Sequence, residues 1–381
     1  MGKLKILHIA QFLGIGGLEK VLLLLAQEQA KHRHQVDIYI YDSNRDWVDT
    51  FRQLGLNVIT PPLKSPGYDL KLFKRLEKLV THYDVVHCHD LNPLMYLAPL
   101  KLSFLLRNRP FPKLVHTSHG MSHLQAQKKT RLYERIMAPL ASELVGVSEH
   151  IADFYKGLFG TRPQSVHRID NGIAIPSQRR PSDPLQRKKD TDRVWSQFSI
   201  APQAADKMWI VVARIVPLKD QLTILRAARK LTNVQLIIVG PVGDRDYHLQ
   251  LQKYKTDKIH FLGAQGDIKK LLAASDFFLS GSLHEGIPIS VLEAMAQEVP
   301  CLLSNIPGHQ ILFSQSQSGV LGSLFAAGDE DDLIRQYQIL LKSPTTCDRI
   351  TANAYTEVSQ HYSAHNMYLK YLSVYTRGEN V

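Results

Sequence analysis

Twice along the chain, short apolar or β-branched runs alternate with longer helical patterns, and no feature restricts the fold more. The first series reads KILHIAQF then GLEKVLLLLAQEQAKH, QVDIYIYD then DWVDTFRQLG, NVITPP then DLKLFKRLEKLV, and continues into DVVHCHD, KLVHTSH and ASELVGVS. Strands separated by helices of this length form parallel βαβ units with right-handed crossovers, hence an open doubly wound sheet. Between about 176 and 207 the pattern gives way to a Pro-, Ser-, Gln- and charge-rich stretch, as an interdomain connection would. The alternation then restarts with MWIVVARIV, VQLIIVG, KIHFLG and DFFLSGS, each followed by a helical segment. The expected fold class is therefore α/β, with two Rossmann-like doubly wound parallel-sheet domains. Ligands of such sheets bind outside the carboxyl ends of the strands, so the expected site is a cleft where two strand-end rims face each other.

A length of 381 residues suits two domains. The formal charge of +11 is uneven: residues 1–175 carry 23 Lys/Arg against 15 Asp/Glu, net +8, and the remainder net +3. Such a surplus suits an anionic substrate, a membrane surface or nucleic acid. Cys88, Cys301 and Cys347 are isolated thiols, which argues against a disulfide scaffold or a cysteine zinc site and fits a reducing compartment. The opening MGKLKILHIA turns directly into a strand pattern without the apolar core of a signal peptide. The most apolar stretch, residues 94–106, is interrupted by Pro99 and Lys101 and is shorter than the roughly 20 residues of a spanning helix. A cytoplasmic location is expected.

Three stretches offer chemistry. In QFLGIGGLEK, Gly14, Gly16 and Gly17 precede a helix, an arrangement that lets backbone amides approach an anion; a plain tight turn reads equally. In VVARIVPLKD, Arg214 ends a strand and Lys219 precedes the next helix, a pair of cations suited to a diphosphate or simply to solvent. In SLHEGIPISVLEAMA, Glu285 lies on a strand-to-helix loop, Pro288 fits the first helical turn, and Glu293 lies inside an almost wholly apolar helix. Eight residues of helix would separate the two carboxylates by about 12 Å, too far to share one atom. They suit two acceptors for two hydroxyl-bearing groups of one extended ligand, against a bland reading of a helix-capping Glu285 and a solvent-facing Glu293.

This last stretch resembles the E-x7-E signature of retaining glycosyltransferases of family 4, enzymes of the two-Rossmann GT-B fold. GGLEKVLLLLA, DVVHCHD, HTSHG, VSEHIADFY, IDNGI, ARIVPLKD, IIVG, IHFLG and ASDFFLSGS follow in the family's order over nearly the whole chain. The resemblance implies an N-terminal acceptor domain, residues 1–175, a linker and nucleotide-sugar domain, residues 176–362, and a final helix, 363–381, returning to the first domain. It implies that Arg214 and Lys219 hold the donor diphosphate, that Glu285 contacts the transferred sugar with Gly286, Ile287 and Pro288 alongside, and that Glu293 accepts from ribose hydroxyls. Gly16 and Gly17 would admit the donor phosphate and the acceptor, and His119 would face the reacting centre. Departures occur at Ala213 and Asp220, where the family commonly has Gly, and at Ile287, where it has an aromatic residue.

The implied reaction is transfer of a sugar, with retention, from a nucleotide sugar, UDP favoured, to a saccharide or lipid-linked saccharide of a bacterial envelope, capsule or lipopolysaccharide. No cofactor is expected. His87, His89, His116, His119 and His123 form a histidine-rich set, but no acidic partner has metal-binding spacing, and the DRD at 244–246 reads as a surface loop. The basic segments 70–80, 106–113 and 127–136 suit peripheral contact with an anionic membrane at its inner face. Alternatives are a sugar-nucleotide 2-epimerase of similar fold and a basic nucleic-acid-binding protein, the latter without any interleaved aromatic and basic stacking motif.

Overall fold

Strands buried on both faces read as near-continuous apolar runs, and Val234–Val239 (VQLIIV), buried at every position and apolar at all but Gln235, is of this kind. The computed structural model describes residues 2–14, 16–120, 128–159, 165–181 and 183–377. By contacts the chain divides into two units, Met1–Gly172 with Ala364–Val381, and Ile173–Ser363.

The N-terminal unit holds a seven-stranded sheet. Its strands are β1 (Lys5–Ala10), β2 (Gln35–Ile40), β3 (Asn57–Ile59), β4 (Val85–His89), β5 (Lys113–Ser118), β6 (Glu143–Gly146) and β7 (Ser165–Arg168), in the order β3-β2-β1-β4-β5-β6-β7. Every pairing is parallel, with Ile6 beside both Val36 and Val85. The order reverses between β1 and β4, so the crevice of a doubly wound sheet opens beyond Ala10 and His89. Helix Leu91–Leu106 continues through Pro99 and is buried along Leu94, Leu97, Leu100 and Phe104.

The second unit repeats the plan with β8 (Lys207–Val212), β9 (Val234–Val239), β10 (Ile259–Gly263), β11 (Phe277–Ser280), β12 (Cys301–Ser304) and β13 (Ser323–Phe325), in the order β10-β9-β8-β11-β12-β13. Its switch point lies between β8 and β11, which lead into Arg214 and Glu285. The indole of Trp209 and the ring of Phe277 meet Tyr337 edge-on at 4.8 and 5.1 Å.

Helix Ala364–Thr376 packs on Gly17–Lys31 of the first unit and buries Tyr368, Tyr371 and Tyr375. Its Tyr368 hydroxyl meets His34 Nε2 at 3.0 Å.

Three local expectations are corrected. The presumed connection contains helix Pro184–Ser196, started by Asp183, which accepts from the amides of Leu185 and Gln186. Trp195 anchors it in the second unit, with Nε1 donating to the Ala274 carbonyl at 3.1 Å. Charges dominate its solvent face, which hid the single apolar stripe. Asp244 of DRD is a helix cap, not loop: it accepts from the Tyr247 amide at 2.8 Å and starts helix Arg245–Gln252. Pro288, with φ −73° and ψ 127°, stands immediately before helix Ile289–Ala296 and not within its first turn. Helix Pro344–His361 and strands β12 and β13 also lie between the elements that the sequence pattern brought out.

Candidate functional site

Past the end of β8 the chain passes Arg214 and forms a 3-10 turn, Pro217–Lys219. Asp220 then adopts the left-handed conformation, φ 41° and ψ 51°. Glycine reaches this region most cheaply, yet aspartate is among the few others that tolerate it. Here its side chain accepts from the Thr223 hydroxyl at 2.6 Å and caps helix Gln221–Arg229. The departure from glycine thus keeps the turn and adds a cap.

That turn presents Lys219 to the loop after β11. The Lys219 ammonium donates to the Glu285 carboxylate, which also accepts from the Ser282 hydroxyl at 3.0 Å. Burial and, second, the Arg214 guanidinium push the Lys219 ammonium down to about 8, while its ion pair with Glu285 works to keep it charged. Arg214 is exposed.

Gly286 and Ile287 lead to Pro288 and a helix whose N-terminus has no side-chain cap, leaving its first amides for a ligand. Ile287 is half-buried and packs on the hydrophobic core. Glu293, only 6% exposed, lies between the fully buried Leu292 and Ala294. It is therefore no solvent-facing residue.

The loop carrying Glu285 rests on Gly308. A Cβ there would lie 2.2 Å from the Glu285 carbonyl oxygen and 2.4 Å from that of Gly286. Behind it the buried His309 bonds through Nδ1 to the Ser304 carbonyl at 2.7 Å.

In the N-terminal unit, a cavity of about 320 Å³ opens beyond β1 and β4, lined by Gln11, His89, Asp90 and Asn92 among others. Asp90 holds φ 62° and ψ 178°, a conformation costly for any residue with a Cβ and common where function imposes it. Its carboxylate accepts from the His119 amide at 2.8 Å. Gly16 is extended, φ −164°, at the N-cap of Gly17–Lys31. A Cβ on Gly16 would lie 2.5 Å from a Glu19 carboxylate oxygen. Glu19 is 5% exposed, and burial raises its pKa while backbone amides at Glu19 and Gly14 oppose the rise. The helix end expected to meet a phosphate thus already carries a carboxylate of its own.

Among the described residues, ring nitrogens of His8, His87 and His89 lie within 4.8 Å of one another, as do ligand atoms of Glu28, His32 and His365. Each nitrogen of the first set already has a hydrogen-bond partner, which makes it a polar network. His116 pairs instead with Glu134 at 2.9 Å. His123 lies outside the described residues.

Residues 15–175 match the Glycosyltransferase Family 4 model and residues 196–357 the Glycosyl transferases group 1 model. The chain belongs to the family 4 glycosyltransferases. This glycosyltransferase is 26% identical over 345 residues to UDP-Gal:alpha-D-GlcNAc-diphosphoundecaprenol alpha-1,3-galactosyltransferase of Escherichia coli, covering 84% of each chain. It is 26% identical to N-acetyl-alpha-D-glucosaminyl L-malate synthase of Bacillus anthracis, over 98% of this chain and 97% of that one. Anabaena Alr3699/HepE, solved in complex with UDP and glucose, shares the GT-B fold with a TM-score of 0.81 and 20% identity, over 98% of this chain and 100% of that one.

Sequence reasoning had singled out Lys219 and Glu285 but not the residues that hold the glycosyltransferase's site in shape. Gly308, Ser282 and Asp90 were missed. For Gly308 the Pro307-Gly308 pair was a signal of a turn, but not of the loop it would pack against. Asp90, an ordinary aspartate before a helix, carried none.

Proposed function

We propose that this glycosyltransferase moves a sugar, with retention at the anomeric carbon and without a metal ion, from a UDP-sugar to a saccharide or lipid-linked saccharide of a bacterial envelope or capsule. The observation that carries the reading is the grouping of Lys219, Glu285 and Arg214 beside an uncapped helix N-terminus at the switch point of the second sheet. Fixed cations and amides of this kind stabilise the charge that develops on a departing diphosphate, the role a divalent ion fills elsewhere. In this reading Arg214 and Lys219 hold the diphosphate, and Glu285, released from Lys219 as phosphate takes its place, accepts from hydroxyls of the transferred sugar. The amides of Gly286 and Ile287, with Pro288 fixing their loop, adjoin the same sugar, and Glu293 accepts from ribose. Gly16, Gly17 and His119 serve the sugar end from the N-terminal unit. The Escherichia coli relative's UDP-Gal donor and diphosphoundecaprenol-linked acceptor, and the UDP and glucose bound by HepE, support the donor and acceptor classes.

A peripheral place on the inner face of the membrane is supported by one surface. Leu102, Leu105 and Leu106 of helix Leu91–Leu106 and Leu132, Tyr133 and Ile136 of the neighbouring helix Lys128–Met137 are all exposed. Arg107, Arg109, Lys129, Arg131 and Arg135 of the same stretches are also exposed. Exposed apolar side chains accompanied by cations suit an anionic interface. Among the described residues no helix is long and apolar enough to cross a membrane.

The test is incubation of the purified protein, in EDTA, with UDP-, GDP- and ADP-sugars, with and without undecaprenyl-diphosphate-linked saccharides, and with proton NMR of the product's anomeric centre. Transfer from a UDP-sugar with retained configuration is expected. Release of an altered free sugar without acceptor would instead identify an epimerase, and transfer only after a divalent ion is restored would refute the metal-free mechanism.

A further inference from the structure

A row of imidazoles runs from His119 into the core of the N-terminal unit. His119 Nε2 lies 3.0 Å from His89 Nδ1, His89 Nε2 lies 3.0 Å from His8 Nδ1, and His8 Nε2 lies 2.8 Å from the side-chain oxygen of Gln29. Gln29 donates through its own Nε2 to the Tyr375 hydroxyl at 3.2 Å. From there a second branch continues to His87 Nδ1 at 2.8 Å, and from His87 Nε2 to Thr117 Oγ1 at 2.7 Å. His8, His87, His89, Gln29 and Tyr375 are all buried.

Each link fixes the next. A carbonyl oxygen only accepts, so the Gln29 oxygen places the proton of His8 on Nε2. Burial pushes the His8 pKa down to about 4, so the ring carries one proton and its Nδ1 is bare. That nitrogen must accept from His89 Nε2. Burial also holds His89 uncharged, which leaves its Nδ1 bare in turn. The proton between His89 and His119 therefore belongs to His119 Nε2. Burial lowers the His119 pKa as well. Its remaining nitrogen, Nδ1, is shielded from solvent and has no hydrogen-bond partner among the described residues, although the residue as a whole is partly exposed.

We propose that Gln29 is a positioning residue which, through His8 and His89, fixes the proton of His119 on Nε2, so that a hydroxyl of a bound sugar that reaches the enclosed Nδ1 finds an acceptor only. The proposal rests on the placement of His119 at the reacting sugar. The direction of the Gln29 amide sets the polarity of the whole row. Reversed, it would move every proton to the opposite nitrogen and turn His119 Nδ1 into a donor. Tyr375 couples that reversal to the second branch, because its hydroxyl takes the Gln29 N–H and passes its own proton to His87. A sugar whose hydroxyl donates toward His119 fits this polarity, and a group that can only accept does not.

The test is a long-range proton–nitrogen correlation spectrum of the full-length protein with ¹⁵N-labelled imidazoles, the His119 signals being identified by their loss in His119→Gln. Expected at neutral pH is a neutral ring protonated on Nε2. A proton on Nδ1, or a charged ring, overturns the proposal without any variant. In Gln29→Leu the His119 signals are expected to report a mixture of tautomers, with kcat about tenfold lower and the nucleotide-sugar KM unchanged; Tyr375→Phe, nearly isosteric, should shift the tautomers in the same sense. A folded Gln29→Leu protein that keeps both the Nε2–H pattern and wild-type kcat overturns the role of Gln29. Full kcat in His119→Gln, with the Nε2–H pattern present in the wild type, overturns the placement of His119 at the sugar and leaves the proton assignment standing.

Discussion

The ammonium of Lys219 is bonded to the carboxylate of Glu285, although 66 residues separate them. Each partner sits on a loop after a different strand of the second sheet, so the bond joins two strand-end loops. Both side chains are mostly buried, at 20% and 16% exposure. Substituting either by alanine should lower kcat by about 10²–10³-fold, the scale of losing one charge-stabilising group, with the far-ultraviolet circular dichroism unchanged. Steady-state kinetics with a UDP-sugar would decide it, and near-normal turnover in either variant would remove the assignment.

Because the Lys219 pKa is lowered to about 8, its charge is present below that value and lost above it. Donor capture needs the charged form. The kcat/KM for the nucleotide sugar should therefore fall about tenfold per unit as pH rises past about 8. In Lys219→Arg, whose side chain keeps its proton throughout, that alkaline limb should vanish even if the overall rate is lower.

A methyl group on Gly308 has nowhere to go, since the Glu285 and Gly286 carbonyl oxygens lie 2.2 and 2.4 Å from it. Gly308→Ala should push the Glu285 loop away, at a stability cost of about 1–3 kcal/mol. Donor affinity measured by calorimetry should weaken, while Gly2→Ala, where a Cβ meets nothing within 4 Å, serves as the unaffected control.

His116, fully buried, is bonded to Glu134 at 2.9 Å. Burial alone would lower its pKa, but Glu134 first and then Cys88 raise it to about 10, above the ordinary 6.5. Between those values the folded protein holds a proton that the unfolded chain has released. The stability from this proton is complete below about 6.5 and is lost as pH climbs through about 10. The thermal midpoint should decline over that interval by on the order of 5 °C, and His116→Phe should flatten the decline.

Leu105 and Leu106 are 57% and 80% exposed. Replacing both with serine should abolish cosedimentation with phosphatidylglycerol vesicles at low salt while leaving transfer to a water-soluble acceptor intact. Unchanged sedimentation would move the membrane contact to another face or remove it.

The alternation of apolar runs and helical patterns was enough to place both sheets, because strands such as VQLIIV, buried on both faces, leave an unmistakable local trace. Arg214, Lys219, Glu285 and Glu293 were legible as candidates, since charges at strand ends or inside an apolar helix are locally anomalous. The bond between Lys219 and Glu285 was not. Whether Lys219 reaches Glu285 depends on how two loops lean across the end of a sheet, which no short-range period records. Helix Pro184–Ser196 escaped notice because it carries six charged residues and little apolar signal. The imidazole row was equally hidden: His8, His89 and His119 belong to β1, to β4 and to the loop after β5, and only the strand order makes them neighbours.

The helix Ala364–Thr376 completes the first unit with residues made after the whole of the second. A ribosome releasing this protein therefore finishes the second lobe before it can close the first. Until then the surface that Tyr368, Tyr371 and Tyr375 will cover stays open, and His87, which Tyr371 and Tyr375 adjoin, lacks the wall that keeps water from it. A nascent chain halted near residue 360 should accordingly attract chaperones through its oldest part, not its newest.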